Sequence, residues 1–153
     1  MKFKDIFERD INRNIEPVIV TGGDYKIETQ MQMIQEYVLT QKLETVYKTI
    51  LSNYIGDSIA VAETFDAGPG IWMKAFFGAG KSHTIWILKN LFEGNTVGSI
   101  NIRDYLHNDK VKDKGLLRCI KGLAKYKTIA ISFDVSVERK IAIAEPFSNL
   151  TLK

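Results

Sequence analysis

The sequence lacks several features that mark specialised classes of protein. Cys119 is the only cysteine among 153 residues, which excludes an internal disulfide and argues against a cysteine-based zinc site. No apolar run approaches the roughly 18 residues that a membrane span needs, and the charged start MKFKDIFERD is unlike a signal peptide. We therefore expect a cytoplasmic protein with no membrane partner, in which Cys119 is a small core residue.

Composition and charge are those of an ordinary globular domain. The chain is 45% hydrophobic and 25% charged, with no low-complexity segment, and its length suits one domain. The formal net charge of +3 is too small to indicate a nucleic-acid partner by itself, because a sum over the whole chain says nothing about local patches.

The N-terminal third has the periodicity of helices. From about residue 28, apolar residues recur at spacings of three and four, which predicts two amphipathic helices. Thr40 is placed to cap the second helix, and Gly56 is placed to end it in a left-handed conformation. We therefore predict an arm and amphipathic helices over residues 1–57, followed by a second unit over residues 58–153.

The second unit begins with a strand, a glycine loop and a helix. Residues 71–77 (IWMKAFF) form a mostly apolar run of strand length, as expected for a strand buried on both faces of a parallel sheet. Residues 83–92 are apolar around much of the helix circumference, which predicts a buried helix, and Gly94 and Asn95 are placed to end it. Phosphate-binding loops require this order of elements.

The loop itself fits the phosphate-binding pattern G-x-x-x-x-G-K-[ST], known as Walker A. Residues 75–82 read AFFGAGKS, so the pattern holds except that Ala75 stands at the first glycine position. Glycines in the loop allow successive main-chain N–H groups to converge on phosphate oxygens at the start of a helix. In this pattern the lysine reaches the β and γ phosphates, and the serine hydroxyl meets Mg²⁺. The predicted ligands are therefore ATP and Mg²⁺, and the hydroxyl of Ser82 is expected to coordinate the Mg²⁺ that is bound with the nucleotide.

Three separate segments resemble the large P-loop ATPases of BREX phage-defence systems, the BrxC/PglY family. Residues 70–83 (GIWMKAFFGAGKSH) are similar to the family's G-[VI]-W-I-S-G-F-F-G-S-G-K-S-H. Residues 1–19 resemble the family's N-terminus, and residues 36–40 (EYVLT) resemble its helical element upstream of the loop. The resemblance implies an ATPase that acts with other BREX proteins in a complex protecting bacterial DNA from phage. Family members are much longer, so it also implies an N-terminal piece.

The expected fold class is α/β. It consists of the N-terminal half of a P-loop NTPase domain, with a parallel sheet core and flanking helices, preceded by the helical region. Residues 128–135 predict a second strand after another amphipathic helix, which implies a right-handed crossover, and residues 141–144 are a further strand candidate. The predicted nucleotide-binding residues are Ala75, Gly78, Ala79, Gly80, Lys81, Ser82 and His83.

Several assignments stay open at this point. Asp134, at the end of the predicted strand 128–135, is the candidate catalytic carboxylate that would order Mg²⁺, with a turn aspartate as the alternative. His83 resembles the family residue, and its alternative role is packing or hydrogen bonding. The lysines between positions 110 and 127 either contact DNA phosphates or form a solvated helix face. Two other functions are a non-catalytic assembly module of the same system and a small P-loop phosphotransferase.

Overall fold

Helices dominate the part of the chain that the structure describes. The structure is a computed structural model that describes residues 3–7, 10–13, 15–16, 18–20, 23–56 and 71–132. Its elements in chain order are a 3-10 turn (Phe3–Ile6), α1 (Ile27–Glu36), α2 (Gln41–Ile55), α3 (Lys81–Glu93), β1 (Thr96–Val97), β2 (Ile100–Asn101), α4 (Ile102–Tyr105), a π-helical turn (Leu106–Lys110) and α5 (Lys114–Leu123). Within these ranges, no helix combines the length and apolarity needed to cross a membrane.

Helices α1 and α2 confirm the helical prediction for the N-terminal region. The hydroxyl of Thr40 accepts a hydrogen bond from the N–H of Leu43 at 3.4 Å and so caps α2. Gly56 ends the same helix with φ 68°, and its N–H donates to the carbonyl of Ser52. A left-handed glycine at this place satisfies a carbonyl that the helix leaves without a partner.

One apolar core joins the helices, and the most extensive packing is between α2 and α5. Each large apolar side chain that is fully buried contributes about 1.5–3 kcal/mol relative to an exposed one. Described residues on both sides of the predicted boundary at 57/58 share this core, while the boundary itself lies outside the described residues. The largest fully buried apolar side chains include Ile34, Tyr47, Leu51, Ile87, Leu91, Ile102, Leu106, Leu116 and Leu123.

Helix α5 is strongly amphipathic. Its inner face buries Leu116, Ile120 and Cys119, which confirms the cysteine as a core residue. Asp113 caps the helix by accepting the N–H of Leu116 at 2.8 Å. The other carboxylate oxygen lies 2.9 Å from the Nζ of Lys48 on α2, so one side chain both starts α5 and ties it to its main neighbour.

The segment after α3 ends that helix and caps its last carbonyl groups. Gly94 ends α3 with φ 68°, as predicted. β1 and β2 then pair antiparallel, with Thr96 opposite Asn101. The guanidinium of Arg103 on α4 donates hydrogen bonds to the carbonyls of Leu91 and Phe92, which satisfies two acceptors at the C-terminal end of α3.

Two segments predicted as buried strands are not strands in this structure. Residues 71–76 have no regular secondary structure, and the side chains of Trp72 and Phe77 are 89% and 100% exposed. Residues 128–132 are also irregular, and Ile129 is 82% exposed. The prediction of buried strands at these positions is wrong, because an apolar run does not itself supply the neighbouring strand that its backbone must pair with.

The parallel sheet of the expected α/β class stays a prediction. In the part of the chain that the structure describes, β1 and β2 form the only sheet. Asp134, the remainder of the predicted strand 128–135 and the candidate strand 141–144 lie outside the described residues.

Candidate functional site

The glycine loop contains two glycines in the left-handed conformation directly before α3. Gly78 has φ 76° and Gly80 has φ 78°, a region that other L-residues rarely occupy. A Cβ at either position would meet nothing within 4 Å, so the backbone conformation, and not lack of space, requires glycine. Between them, the N–H of Ala79 donates to the carbonyl of Phe76 at 3.3 Å, which closes the bend.

Helix α3 presents its N-terminus to this loop. The helix begins at Lys81, directly after Gly80, and no side chain caps it. The N–H of Thr84 donates to the carbonyl of Gly80 at 2.9 Å, so the first turn is closed onto the last residue of the loop. The N–H groups ahead of Thr84 have no acceptor within the helix and carry its partial positive charge. They are suited to binding an anion.

The side chain of Lys81 folds back over the loop. Its Nζ donates to the carbonyl of Ala75 at 3.0 Å and to that of Phe76 at 2.7 Å. Among the described residues, no carboxylate forms an ion pair with Lys81, so its charge is not compensated there. The ammonium therefore adds a full positive charge beside the start of α3. Ser82, the next residue, is exposed on the first turn of the helix.

His83 lies in the same turn, but its ring contacts α1. Its Nε2 is 2.9 Å from the carbonyl of Met33, and its ring packs edge-on against Tyr37 with centroids 4.9 Å apart. Because a carbonyl oxygen only accepts, Nε2 carries a proton. Burial lowers the pKa of His83, although the bond to Met33 and the charge of Glu36 oppose that shift. The neutral ring of His83 accordingly links α3 to α1 through this hydrogen bond.

The predicted site residues thus fall into two groups. Ala75, Gly78, Ala79 and Gly80 lie in the loop, and Lys81 and Ser82 follow them in the first turn of α3. It directs the imidazole of the seventh residue, His83, toward α1. No cluster of three or more metal-ligating His, Cys, Asp or Glu side chains is found among the described residues.

A pair of buried tyrosines beneath the first turn of α3 was not predicted. The hydroxyl oxygens of Tyr37 and Tyr47 lie 2.8 Å apart. Tyr37 donates to the Oγ1 of Thr84 at 3.3 Å, and Tyr47 donates to the main-chain carbonyl of Thr84 at 3.3 Å. Burial raises the pKa of both phenols, so both remain neutral donors. The apolar spacing of the sequence indicates that Tyr37 and Tyr47 are buried, and a buried tyrosine hydroxyl needs a hydrogen-bond partner. The spacing does not show which residue that partner is.

Two clefts of the described residues lie at the opposite end of α3. One, of about 460 Å³, is lined by residues that include Gly94, Arg103 and Lys121. The other, of about 500 Å³, includes Glu93 and Lys125. The helix rises by 1.5 Å per residue, so these clefts are about 18 Å along α3 from Lys81. They are therefore separate from the glycine loop.

Comparison of the chain with protein-family models finds no match, and no solved structure matches it. The chemistry of the candidate site is therefore read from the loop alone: two left-handed glycines, a helix N-terminus and one ammonium group.

Proposed function

We propose that the chain binds the phosphates of ATP through residues 75–82, with Mg²⁺ bound through Ser82 and the nucleotide. The observation that carries the proposal is the pair of left-handed glycines leading without a break into the uncapped N-terminus of α3. This arrangement offers main-chain N–H donors to one anion. The Lys81 ammonium beside them fits a phosphate in charge and in donor chemistry.

The biological role that we propose is that of an ATPase segment in a BREX phage-defence complex. The similarities over residues 1–19, 36–40 and 70–83 support this role. The chain would then act in the cytoplasm with other BREX proteins, and its effect on DNA would be indirect. Hydrolysis needs an additional carboxylate, for which Asp134 is the proposed candidate.

Binding of Mg-ATP by the purified chain tests the nucleotide proposal. Calorimetry should show binding by the wild type and its loss in Lys81→Ala, because the substitution removes the ammonium beside the loop. Lys89→Ala is the matched control, since Lys89 lies on the same helix about 12 Å farther from the loop. Lys89→Ala should bind ATP as the wild type does. Equal binding by Lys81→Ala and the wild type would reject the proposal.

A second candidate function, an assembly module, is favoured by the exposed apolar side chains. Trp72, Phe76 and Phe77 precede the loop, and Ile129 and Ile131 lie in the other irregular segment. Extended apolar segments that lack a neighbouring strand are suited to pairing with a sheet of another polypeptide. Co-purification with other BREX proteins distinguishes the candidates. An assembly module keeps its partner in Lys81→Ala and loses it in Phe77→Ser.

A further inference from the structure

We propose that Tyr47 and Tyr37 are positioning residues for the glycine loop. Their hydroxyl groups hold Thr84, and Thr84 in turn holds the carbonyl of Gly80, the last residue of the loop. The inference deepens the proposed function and rests on it, since it assigns to α1 and α2 the task of fixing the phosphate-binding turn.

Thr84 connects the loop to both N-terminal helices. Its N–H donates to the carbonyl of Gly80 at 2.9 Å. Its own carbonyl accepts from Tyr47, and its Oγ1 accepts from Tyr37, each at 3.3 Å. All three side chains are buried, and Tyr47 is only 1% exposed. Water is therefore kept from replacing these hydrogen bonds, and any shift of the tyrosines is passed to the first turn of α3.

The tyrosine rings are themselves held in place. The ring of Tyr37 lies 6.4 Å from that of Tyr47 and 4.9 Å from that of His83. His83 adds a second tie, through its hydrogen bond to the carbonyl of Met33 on α1. The first turn of α3 is consequently attached to Met33 of α1, to Tyr37 directly after α1, and to Tyr47 of α2.

These attachments replace the cap that α3 lacks. No side chain caps the N-terminus of the helix, and uncapped first turns fray readily. A glycine in a left-handed conformation gives no rigidity of its own. Convergent N–H groups bind an anion well only when their directions are fixed, so the loop depends on buried contacts from α1 and α2 for that order.

Tyrosine-to-phenylalanine substitutions isolate the hydroxyl groups. Tyr47→Phe and Tyr37→Phe keep both rings and remove one hydroxyl each. Tyr54→Phe is the matched control, because Tyr54 packs against Phe92 at the far end of the same helix, 4.9 Å between ring centroids. The Tyr54 hydroxyl also has a partner, at 2.9 Å in Thr128. Each variant therefore removes one hydroxyl group, which contacts Thr128 in the control and contacts Thr84 and the other tyrosine in the two test variants.

The variants are compared by two measurements, hydrogen exchange and ligand affinity. Hydrogen exchange of the ligand-free chain is measured at the amides of residues 84–87, and calorimetry gives the affinity for Mg-ATP and for Mg-pyrophosphate. In Tyr47→Phe the amides of residues 84–87, the first ones of α3 with a helical acceptor, should exchange about fivefold faster, while those of α5 stay unchanged. Both ligands should bind about fivefold more weakly, because the loss acts on the phosphate loop. Tyr37→Phe should act in the same direction, and Tyr54→Phe should leave both quantities unchanged.

The outcomes separate this inference from the function on which it rests. If the wild type binds no ATP, the proposed function fails, and the exchange rates still decide whether the tyrosines anchor the turn. Unchanged exchange over residues 84–87 in Tyr47→Phe and Tyr37→Phe overturns the inference in every case. Unchanged affinity of both variants, in a chain whose wild type binds ATP, also overturns it.

Discussion

Replacing Gly80 by alanine tests the conformation of the glycine loop most sharply, because the structure offers a matched position elsewhere. Gly80 has φ 78° and Gly56, at the end of α2, has φ 68°, and a Cβ at either site would meet nothing within 4 Å. The left-handed conformation costs alanine about 1–2 kcal/mol. The lower entropy of the unfolded alanine chain offsets about 0.4–1 kcal/mol of this. Each substitution should therefore lower the free energy of unfolding by about 1 kcal/mol.

The two variants should differ only in ligand binding. Thermal denaturation should give both a melting temperature about 3 °C below the wild type. Calorimetry with Mg-ATP should show weaker binding only for Gly80→Ala, because relief of its strain reorients the N–H groups at the start of α3. Gly56→Ala should bind as the wild type does, since it lies at the end of another helix. If Gly80→Ala loses stability and keeps full ATP affinity, or if both variants lose affinity equally, the left-handed conformation of Gly80 does not determine ATP binding.

Two further substitutions test the contacts at each end of α3. The pKa of His83 is lowered in the folded chain, so the folded chain binds a proton at this imidazole less readily than the unfolded chain does. The contribution of His83 to stability is therefore present above the unfolded pKa of about 6.5. It is lost as the pH falls toward the folded pKa. Gln at position 83 keeps a donor for the Met33 carbonyl without titrating. Thermal denaturation of His83→Gln should thus show a smaller drop in melting temperature from about pH 7.5 to about pH 5, and a drop equal to that of the wild type would count against a half-buried neutral ring. Arg103→Met leaves the carbonyls of Leu91 and Phe92 without their donor, and urea unfolding should show a loss of about 1–3 kcal/mol with ATP affinity kept. Wild-type stability in that variant would mean that the capping contacts contribute nothing.

The helices were predictable from the sequence because their determinants are local. Apolar spacing located α1, α2, α3 and α5, and the roles of Thr40, Gly56 and Gly94 followed from the chemistry of helix ends. The short hairpin and α4 were missed. Each of their strands has only two residues, too few for any period to show.

The strands and the tyrosine network were not predictable, because both depend on distant partners. Residues 71–77 have the composition of a buried strand, yet burial requires a neighbour that local pattern cannot provide. Tyr37 and Thr84 are 47 residues apart in sequence, so spacing gives no sign of their hydrogen bond. The loop was predictable as a motif, and the structure adds the glycine conformations and the position of the Lys81 ammonium.

Amide chemical shifts measured by NMR during titration with Mg-ATP show whether the main-chain N–H groups of the glycine loop bind the phosphates. Saturable shifts should be largest at residues 78–82, with little change at Gly94 and Asn95 at the other end of α3. Shifts centred on the far end of α3, or no saturable shift at residues 78–82, would show that the loop does not bind them.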